Sequence, residues 1–132
     1  MSDESHHRNE QRFSGAPRHL TPEEVEFLRA ILRHAQGGNE KVFQLEDSVV
    51  RNMSDGGMGS LYFEPKHGNA ERKFGRSLVE AEFLDRDGVL VSAVVNLDTE
   101  GELFELDLWK IDFSRLLEFP KAHDIIVKSQ TK

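Results

Sequence analysis

Apolar side chains recur every three or four residues between positions 25 and 35, which is the spacing of one buried face of an α-helix. A strong start signal precedes them. Thr21 can cap the first turn, Pro22 suits the first helical position, and Glu24 completes a capping box. Gly37–Gly38 follows the last apolar position, and glycine commonly ends a helix. The pattern therefore predicts an N-terminal helix that packs on the core.

The next stretch of the chain predicts a second, short helix and a hairpin. Residues 40–46 have helical spacing that would bury Phe43 among other apolar side chains. Residues 49–53 and 60–64 are rich in β-branched and aromatic side chains, and the glycine-rich connection 54–59 separates them. Two such runs on either side of a short glycine-rich connection are typical of a β-hairpin.

The clearest alternation of apolar and polar residues lies between Leu78 and Phe113, and it predicts three consecutive antiparallel strands. Asp85–Gly88 and Asp98–Gly101 each have aspartate first and glycine fourth, which is the usual composition of a tight hairpin turn. The middle strand, residues 89–97, is apolar on nearly both faces. It is therefore expected in the middle of the sheet.

This three-strand unit has one apolar face and one acidic face. The apolar set expected to face the core is Val79, Ala81, Phe83, Phe104, Leu106 and Leu108. The opposite face would carry Glu80, Glu82, Glu105, Asp107 and Trp109, because alternate residues of a strand share a face. Burying unpaired carboxylates is costly. We therefore expect either an even number of residues in the second loop or a bulge that keeps the last two acids out of the core.

Together these patterns predict one α+β domain over residues 19–120. In it, the N-terminal helix and the short second helix pack on one face of a mainly antiparallel meander sheet of about five strands in sequence order. Residues 1–18 offer little apolar surface, so a disordered tail is expected there. Residues 121–132 contain the apolar run Ile125–Val127, which fits an edge strand and an apolar tail anchor equally well.

Composition narrows the functional classes. The chain carries 24 Asp and Glu against 17 Lys and Arg, a net charge of −7 that disfavours binding to nucleic acid. It has no cysteine, which excludes disulfides and thiolate chemistry. No segment approaches the roughly 20 apolar residues of a membrane span, and the N-terminus lacks the pattern of a signal peptide. We expect a cytoplasmic protein that binds neither nucleic acid nor membrane.

Catalytic motifs are hard to assemble from this sequence. The glycine loop 55–60 lacks the following helix and the Lys-Ser/Thr pair of a phosphate-binding loop, so a turn is the better interpretation. The Asp-x-x-Gly turns lack the remaining ligands of a calcium loop. We therefore predict no catalytic residues, no cofactor and no metal site. Paired carboxylates on one strand, such as Glu80 with Glu82, could do acid–base work. More often such pairs belong to the wet face of a sheet.

Four segments resemble a bacterial family of small proteins that is known as a domain of unknown function. They are LTPEE at 20–24, DGGMGSL at 55–61, FGR at 74–76 and GELFELDLWKIDF at 101–113. The resemblance covers the chain from Leu20 to about Pro120 and implies no catalytic residue. In general appearance such small acidic α+β proteins are also similar to the immunity proteins that neutralise bacterial toxins. That likeness implies a basic toxin as partner.

Three functional hypotheses follow. The favoured one is a non-enzymatic protein-binding module that binds a basic partner protein through Glu80, Glu82, Glu105, Asp107 and Trp109. The alternative is a small ligand-binding protein or enzyme that uses the same carboxylates beside Arg72 or Arg76, and a cavity holding two of the acids would favour it. The third is a structural protein in which Trp109 belongs to the core.

Overall fold

The computed structural model describes residues 12–66 and 71–128, and within them two helices lie against a seven-stranded antiparallel sheet. The elements are β1 (Arg18–His19), α1 (Pro22–Leu32), α2 (Gly38–Val42), β2 (Val49–Asn52), β3 (Leu61–Phe63), β4 (Phe74–Leu84), β5 (Leu90–Asp98), β6 (Leu103–Lys110), a 3₁₀ turn (Ala122–Asp124) and β7 (Ile126–Val127). The predicted α+β class is confirmed. The sheet exceeds the predicted five strands because the two-residue strands β1 and β7 extend its edges.

Helix α1 begins with the predicted capping box. The backbone N–H of Glu24 donates to Thr21 Oγ1 over 3.1 Å, and that of Thr21 donates to Glu24 Oε1 over 2.9 Å. Arg18 adds two further hydrogen bonds of 2.9 Å to the same carboxylate. The helix buries Phe27, Leu28, Ile31 and Leu32. Full burial of each such side chain stabilises the fold by about 1.5–3 kcal/mol.

Helix α2 is shorter than predicted and ends at Val42. As a result Phe43, which was expected in the core, is 85% exposed. Leu45, another apolar side chain of residues 40–46 that was expected in the core, is buried there, because the turn that follows the helix directs it inward. Helical spacing alone could not reveal this, because it assumes that the helix continues to residue 46.

The strand order is β1-β2-β3-β6-β5-β4-β7, so the prediction of a meander in sequence order is wrong. Strand β3 pairs with β6 instead of β4. The buried side chain of Arg72 holds this arrangement together. Its guanidinium donates to the carbonyl oxygens of Phe63 and Leu103, which flank the β3–β6 junction, and forms a 3.0 Å ion pair with Asp98.

A β-bulge at Phe104 sets the faces of β6. Residues 86–88 and 99–101 form the two hairpin loops, closed by hydrogen bonds from the N–H of Asp85 to Val89 O and from that of Asp98 to Glu102 O. In the second hairpin Leu97 pairs with Leu103, but Asn96 pairs with Glu105, so Phe104 is the extra residue. The bulge was one of the two expected solutions, and it directs Leu106 and Leu108 to the core.

Phe104 itself does not join that core, contrary to the prediction. As the extra residue of the bulge it turns toward the face that carries Glu105. There its ring packs edge-on against Tyr62 with the centroids 6.0 Å apart, and the guanidinium of Arg72 lies 5.0 Å from its centroid. The side chain is 9% exposed, so it is buried in a small aromatic cluster outside the main core.

Part of the predicted N-terminal tail is ordered. Phe13 forms a β-bridge with Met53, and the N–H of Ser14 donates to Asn52 O over 3.0 Å. These contacts differ from the disorder expected over residues 1–18, and residues 1–11 lie outside the part of the chain that the structure describes. The sequence pattern missed the contacts because they depend on β2, more than thirty residues away.

The C-terminal segment follows the edge-strand alternative of the two that the sequence left open. Strand β7 pairs with β4 through Val127 opposite Ala81 and Ile126 opposite Glu82. Residues 129–132 of the predicted segment 121–132 lie outside the described residues.

Lys110 is a buried cation at the end of β6, with 1% of its surface exposed. Its Nζ donates to Asp85 Oδ2 and Asp87 Oδ2 over 2.8 Å and to the carbonyl oxygen of Arg115 over 2.9 Å. An ammonium group has three N–H donors, so every one of them has a partner. The buried charge is thereby compensated by two carboxylates and a carbonyl.

Asp85 links this cation to the C-terminal segment. Its carboxylate accepts from the backbone N–H groups of Leu117 over 2.8 Å and Glu118 over 3.1 Å. Burial on its own would raise the pKa of Asp85, but the hydrogen bonds from Lys110 and from backbone N–H groups outweigh it and lower the pKa. The charged form is therefore the one that stabilises the fold.

We predict that Asp85→Asn lowers the free energy of unfolding by about 3 kcal/mol at pH 7, because it removes one partner of a buried ion pair. Urea unfolding measures the loss. A group with a lowered pKa stabilises the fold above its unfolded pKa of about 3.9. The two proteins should therefore converge as the pH falls through the lowered pKa.

The matched control is Asp87→Asn, because the side chain of Asp87 is 35% exposed. This substitution should lower the free energy of unfolding by less than about 1 kcal/mol, because solvent screens the charge. Equal losses in the two variants would contradict the central role of Asp85.

Candidate functional site

All the predicted site residues lie on the face of the sheet opposite α1, which is called the outer face below. Glu80, Val94 and Asp107 form one row across β4, β5 and β6, and Glu82, Ser92 and Trp109 form the next. Glu105 lies opposite Asn96 in the neighbouring row on the other side. The set Glu80, Glu82, Glu105, Asp107 and Trp109 is called the acidic face. Its members share a surface because the bulge restores the register of β6.

The four carboxylates of the acidic face differ in whether they already form an ion pair or a hydrogen bond. Glu82 forms a 2.8 Å ion pair with Lys128 of the C-terminal segment. Glu105 is half-buried and accepts a long hydrogen bond of 3.4 Å from Asn96 Nδ2. Glu80 and Asp107 are exposed, and neither forms an ion pair within residues 12–66 and 71–128. These last two carboxylates are the available anions.

Asp107 lies beside a second carboxylate, that of Asp55. Partial burial and then repulsion by Asp55 raise the pKa of Asp107 above its ordinary value. Asp55 belongs to the glycine loop, where it accepts from the N–H groups of Met58 over 3.1 Å and Ser60 over 3.0 Å. The loop is therefore a turn built around Asp55, as predicted, and it adds negative charge to the acidic face.

Trp109 is 49% exposed, which contradicts the hypothesis that it belongs to the core. Its ring packs edge-on against Phe113, with the centroids 5.0 Å apart at 85°. The sequence analysis did not include Phe113 in the site. A signal was present, because Trp109, Ile111 and Phe113 are apolar at alternate positions that start on the polar side of β6.

The arginines named in the ligand-binding alternative are arranged differently from the expectation. Arg72 is buried, and its donors are engaged by Asp98 and by backbone carbonyl oxygens, so it supports the fold. Arg76 is exposed on β4, opposite Leu97. Neither belongs to the two rows that hold Glu80, Glu82, Asp107 and Trp109.

A cleft of 610 Å³ lies where the end of β4 meets the C-terminal segment. Its apolar lining consists of Phe83, Leu84, Leu90, Phe119, Pro120 and Ile126. Its charged lining consists of Glu82, Arg86, Glu118, Lys121 and Asp124. Glu82 is the member of the acidic face that contributes to it, so this cleft does not gather two of the predicted carboxylates.

In the described part of the chain, no three His, Asp or Glu side chains are grouped so that they could hold a metal ion. The described helices are also too short and too polar to cross a bilayer.

Comparison with known proteins shows the family of this chain. A family model described as "Domain of unknown function (DUF6984)" matches residues 17–120, which include both helices, β1 to β6 and the whole acidic face. No curated protein and no solved structure matches the chain. The match confirms the resemblance to a family of unknown function. The likeness to toxin-immunity proteins stays a prediction.

We predict that Asp107→Asn raises the free energy of unfolding by up to about 0.5 kcal/mol at pH 7, the usual limit for a surface substitution. A raised pKa means that the ionised carboxylate is less stable in the folded protein than in the unfolded one. The gain should therefore disappear below about pH 4, where the group is protonated in both states.

Urea unfolding at the two pH values measures the effect. Glu80→Gln is the matched control, because it removes an exposed carboxylate from the same row but on β4. An equal gain in both variants would contradict a specific repulsion between Asp107 and Asp55.

Proposed function

We propose a function from the site itself, because the chain belongs to the DUF6984 family, which is described only as a domain of unknown function. The proposal is a non-enzymatic protein-binding module whose acidic face binds a basic partner protein. One observation carries it. Glu80 and Asp107, which form no ion pair with any other described residue, lie in one row, and Trp109, which is half exposed, lies in the next row.

The physical basis is electrostatic attraction combined with an aromatic anchor. A net charge of −7 attracts a cationic protein over long range, and the local carboxylates then select its orientation. Tryptophan is among the residues that most often carry binding energy at an interface. A basic toxin is the partner class suggested by the general likeness to immunity proteins.

The arrangement of the acids favours binding over catalysis. Glu80 and Asp107 belong to a row that crosses the surface of the sheet, with Val94 between them on β5. General acid–base chemistry needs groups that converge on one reacting atom. Charges spaced along a surface suit a partner that is itself extended.

Charge reversal tests the proposal. We expect the double variant Glu105→Lys and Asp107→Lys to lose at least tenfold in capture of basic proteins from an extract of the native host, because attraction becomes repulsion. Capture is measured on immobilised protein with identification by mass spectrometry. Circular dichroism confirms that the fold is retained.

The matched control is Glu26→Lys with Glu46→Lys, which changes the net charge equally. Both of these side chains are exposed, and both lie at the helices, away from the outer face. Equal capture by the two double variants would show that overall charge, not the acidic face, governs binding.

A second candidate function is the binding of a small ligand, and the 610 Å³ cleft favours it. The volume lies in the usual range for small-molecule sites. Its lining combines apolar side chains with charged ones, Arg86 and Lys121 among them, and such a lining suits an amphipathic molecule with a charged head group.

Octanoate and octylamine, which carry opposite head groups, are suitable probes of the cleft. The second function predicts that one of them produces saturable chemical-shift changes at Phe119 and Ile126 in NMR titrations, and that Ile126→Asp removes the changes. Shifts that stay linear with both probes up to their solubility limits would count against a site in the cleft.

A further inference from the structure

An apolar surface adjoins the acidic face at the hairpin end of the sheet. Leu84 pairs with Leu90, and the N–H of Ile111, the residue after β6, donates to Leu90 O over 3.1 Å, so the three residues continue the rows of the sheet beyond Trp109. Leu84 is 63% exposed and Ile111 is 53% exposed. Trp109 precedes Ile111 by two residues on the same face. With Phe113 these residues define the apolar ridge: Leu84, Leu90, Trp109, Ile111 and Phe113.

The backbone at Phe113 is unusual. Its φ is +66°, in the left-handed region that side chains other than glycine and asparagine rarely adopt. The N–H of Phe113 donates to the carbonyl oxygen of Lys110 over 2.8 Å, and Lys110 is fixed by its buried ion pairs. The fold therefore holds a large aromatic ring in an unfavourable conformation, exposed beside Trp109. Strain of this kind is often found at functional surfaces.

Charge indicates what covers the ridge. Asp107 precedes Trp109 on the same face, and Glu80 lies in the same row as Asp107, so an anionic strip runs alongside the apolar one. A second copy of the chain carries the same net charge of −7, so electrostatic repulsion opposes its approach to this surface. An anionic membrane or a nucleic acid would be repelled by the same strip.

The terminal segments outside the described residues offer little apolar surface. Residues 1–11 contain Met1 as their one apolar side chain, and residues 129–132 contain none. Charge complementarity favours, as the occupant, a partner protein that carries cations next to apolar side chains.

We infer that the apolar ridge and the neighbouring acids bind one amphipathic basic helix of the partner, an inference that rests on the proposed function. The ridge lies on the face of the sheet and not at its edge, so a partner would contact its side chains and would not pair with it as an additional strand. It crosses three strands, a width of about 10 Å, which is close to the diameter of a helix. Apolar residues of the helix would contact Trp109 and Phe113, and its Lys and Arg residues would approach Glu80 and Asp107.

Trp109 is the only tryptophan of the chain, so its fluorescence reports directly on the ridge. The probes are two tryptophan-free peptides of about five helical turns. One peptide carries Leu every three or four residues, on one face of a helix, and Lys on the opposite face. In the other peptide every Leu is replaced by Ser. We expect the Leu/Lys peptide to shift the Trp109 emission to the blue in a saturable manner and to bind at least tenfold more tightly than the Ser/Lys peptide.

The variant Phe113→Asn tests the role of the strained residue. Asparagine adopts the left-handed conformation more readily than phenylalanine, so the Tm should not fall, whereas the affinity for the Leu/Lys peptide should drop at least fivefold. Phe43→Asn is the matched control, because Phe43 is also an exposed aromatic but follows α2. The Phe43→Asn variant should bind the Leu/Lys peptide with the same affinity as the original protein.

Two outcomes overturn the inference, and they are distinguishable. If the Ser/Lys peptide binds as tightly as the Leu/Lys peptide, or if Phe113→Asn binds as well as Phe43→Asn, the ridge is not a binding surface, while the acidic face still could be. If the Leu/Lys peptide binds equally well to the double variant Glu105→Lys with Asp107→Lys, the acidic face plays no part, and the proposed function fails as well.

Discussion

The cost of burying a carboxylate fixes the register on which the rest of this fold depends. Loop 99–101 alone would place Glu105 and Asp107 opposite core positions of β5. The bulge at Phe104 shifts β6 by one residue, so that Leu106 and Leu108 enter the core and the acids reach the outer face. Without this shift the sheet would bury two charges and expose two leucines, a loss of several kcal/mol on both counts. One extra residue thus builds the core and the candidate site together.

The two hairpin turns have a second role that their sequence does not reveal. Asp85 and Asp98 each begin an Asp-x-x-Gly turn, and each is also a buried partner of a distant cation, Lys110 or Arg72. Arg72 joins the connection before β4 to the β3–β6 junction, and Lys110 joins β6 to the segment around Arg115. Short-range turn chemistry and long-range cross-linking therefore coincide in the same carboxylates. Such pairs specify the arrangement of strands even where their net contribution to stability is modest.

The features that the sequence predicted are those determined by neighbours along the chain. The capping box of α1, the two hairpin turns and the alternation of β4 and β6 depend on residues only a few positions apart. Two of the errors have the opposite property. The position of β3 depends on Arg72, and the order of residues 12–18 depends on β2. For the site, sequence alternation grouped the acids and Trp109 and also marked Phe113 as an apolar neighbour, but the left-handed backbone conformation of Phe113 has no local sequence signature.

The outer face concentrates features that stability alone does not explain. The raised pKa of Asp107 shows that its charge is unfavourable in the folded protein. Phe113 occupies a backbone conformation that costs an L-residue about 1–2 kcal/mol. Trp109 and Ile111 leave about half of their surfaces in water. By contrast, the opposite face is closely packed and its buried charges are paired. Folding would be easier without these features, and their occurrence together on one face is the physical basis of our proposal that a partner binds there and offsets their cost.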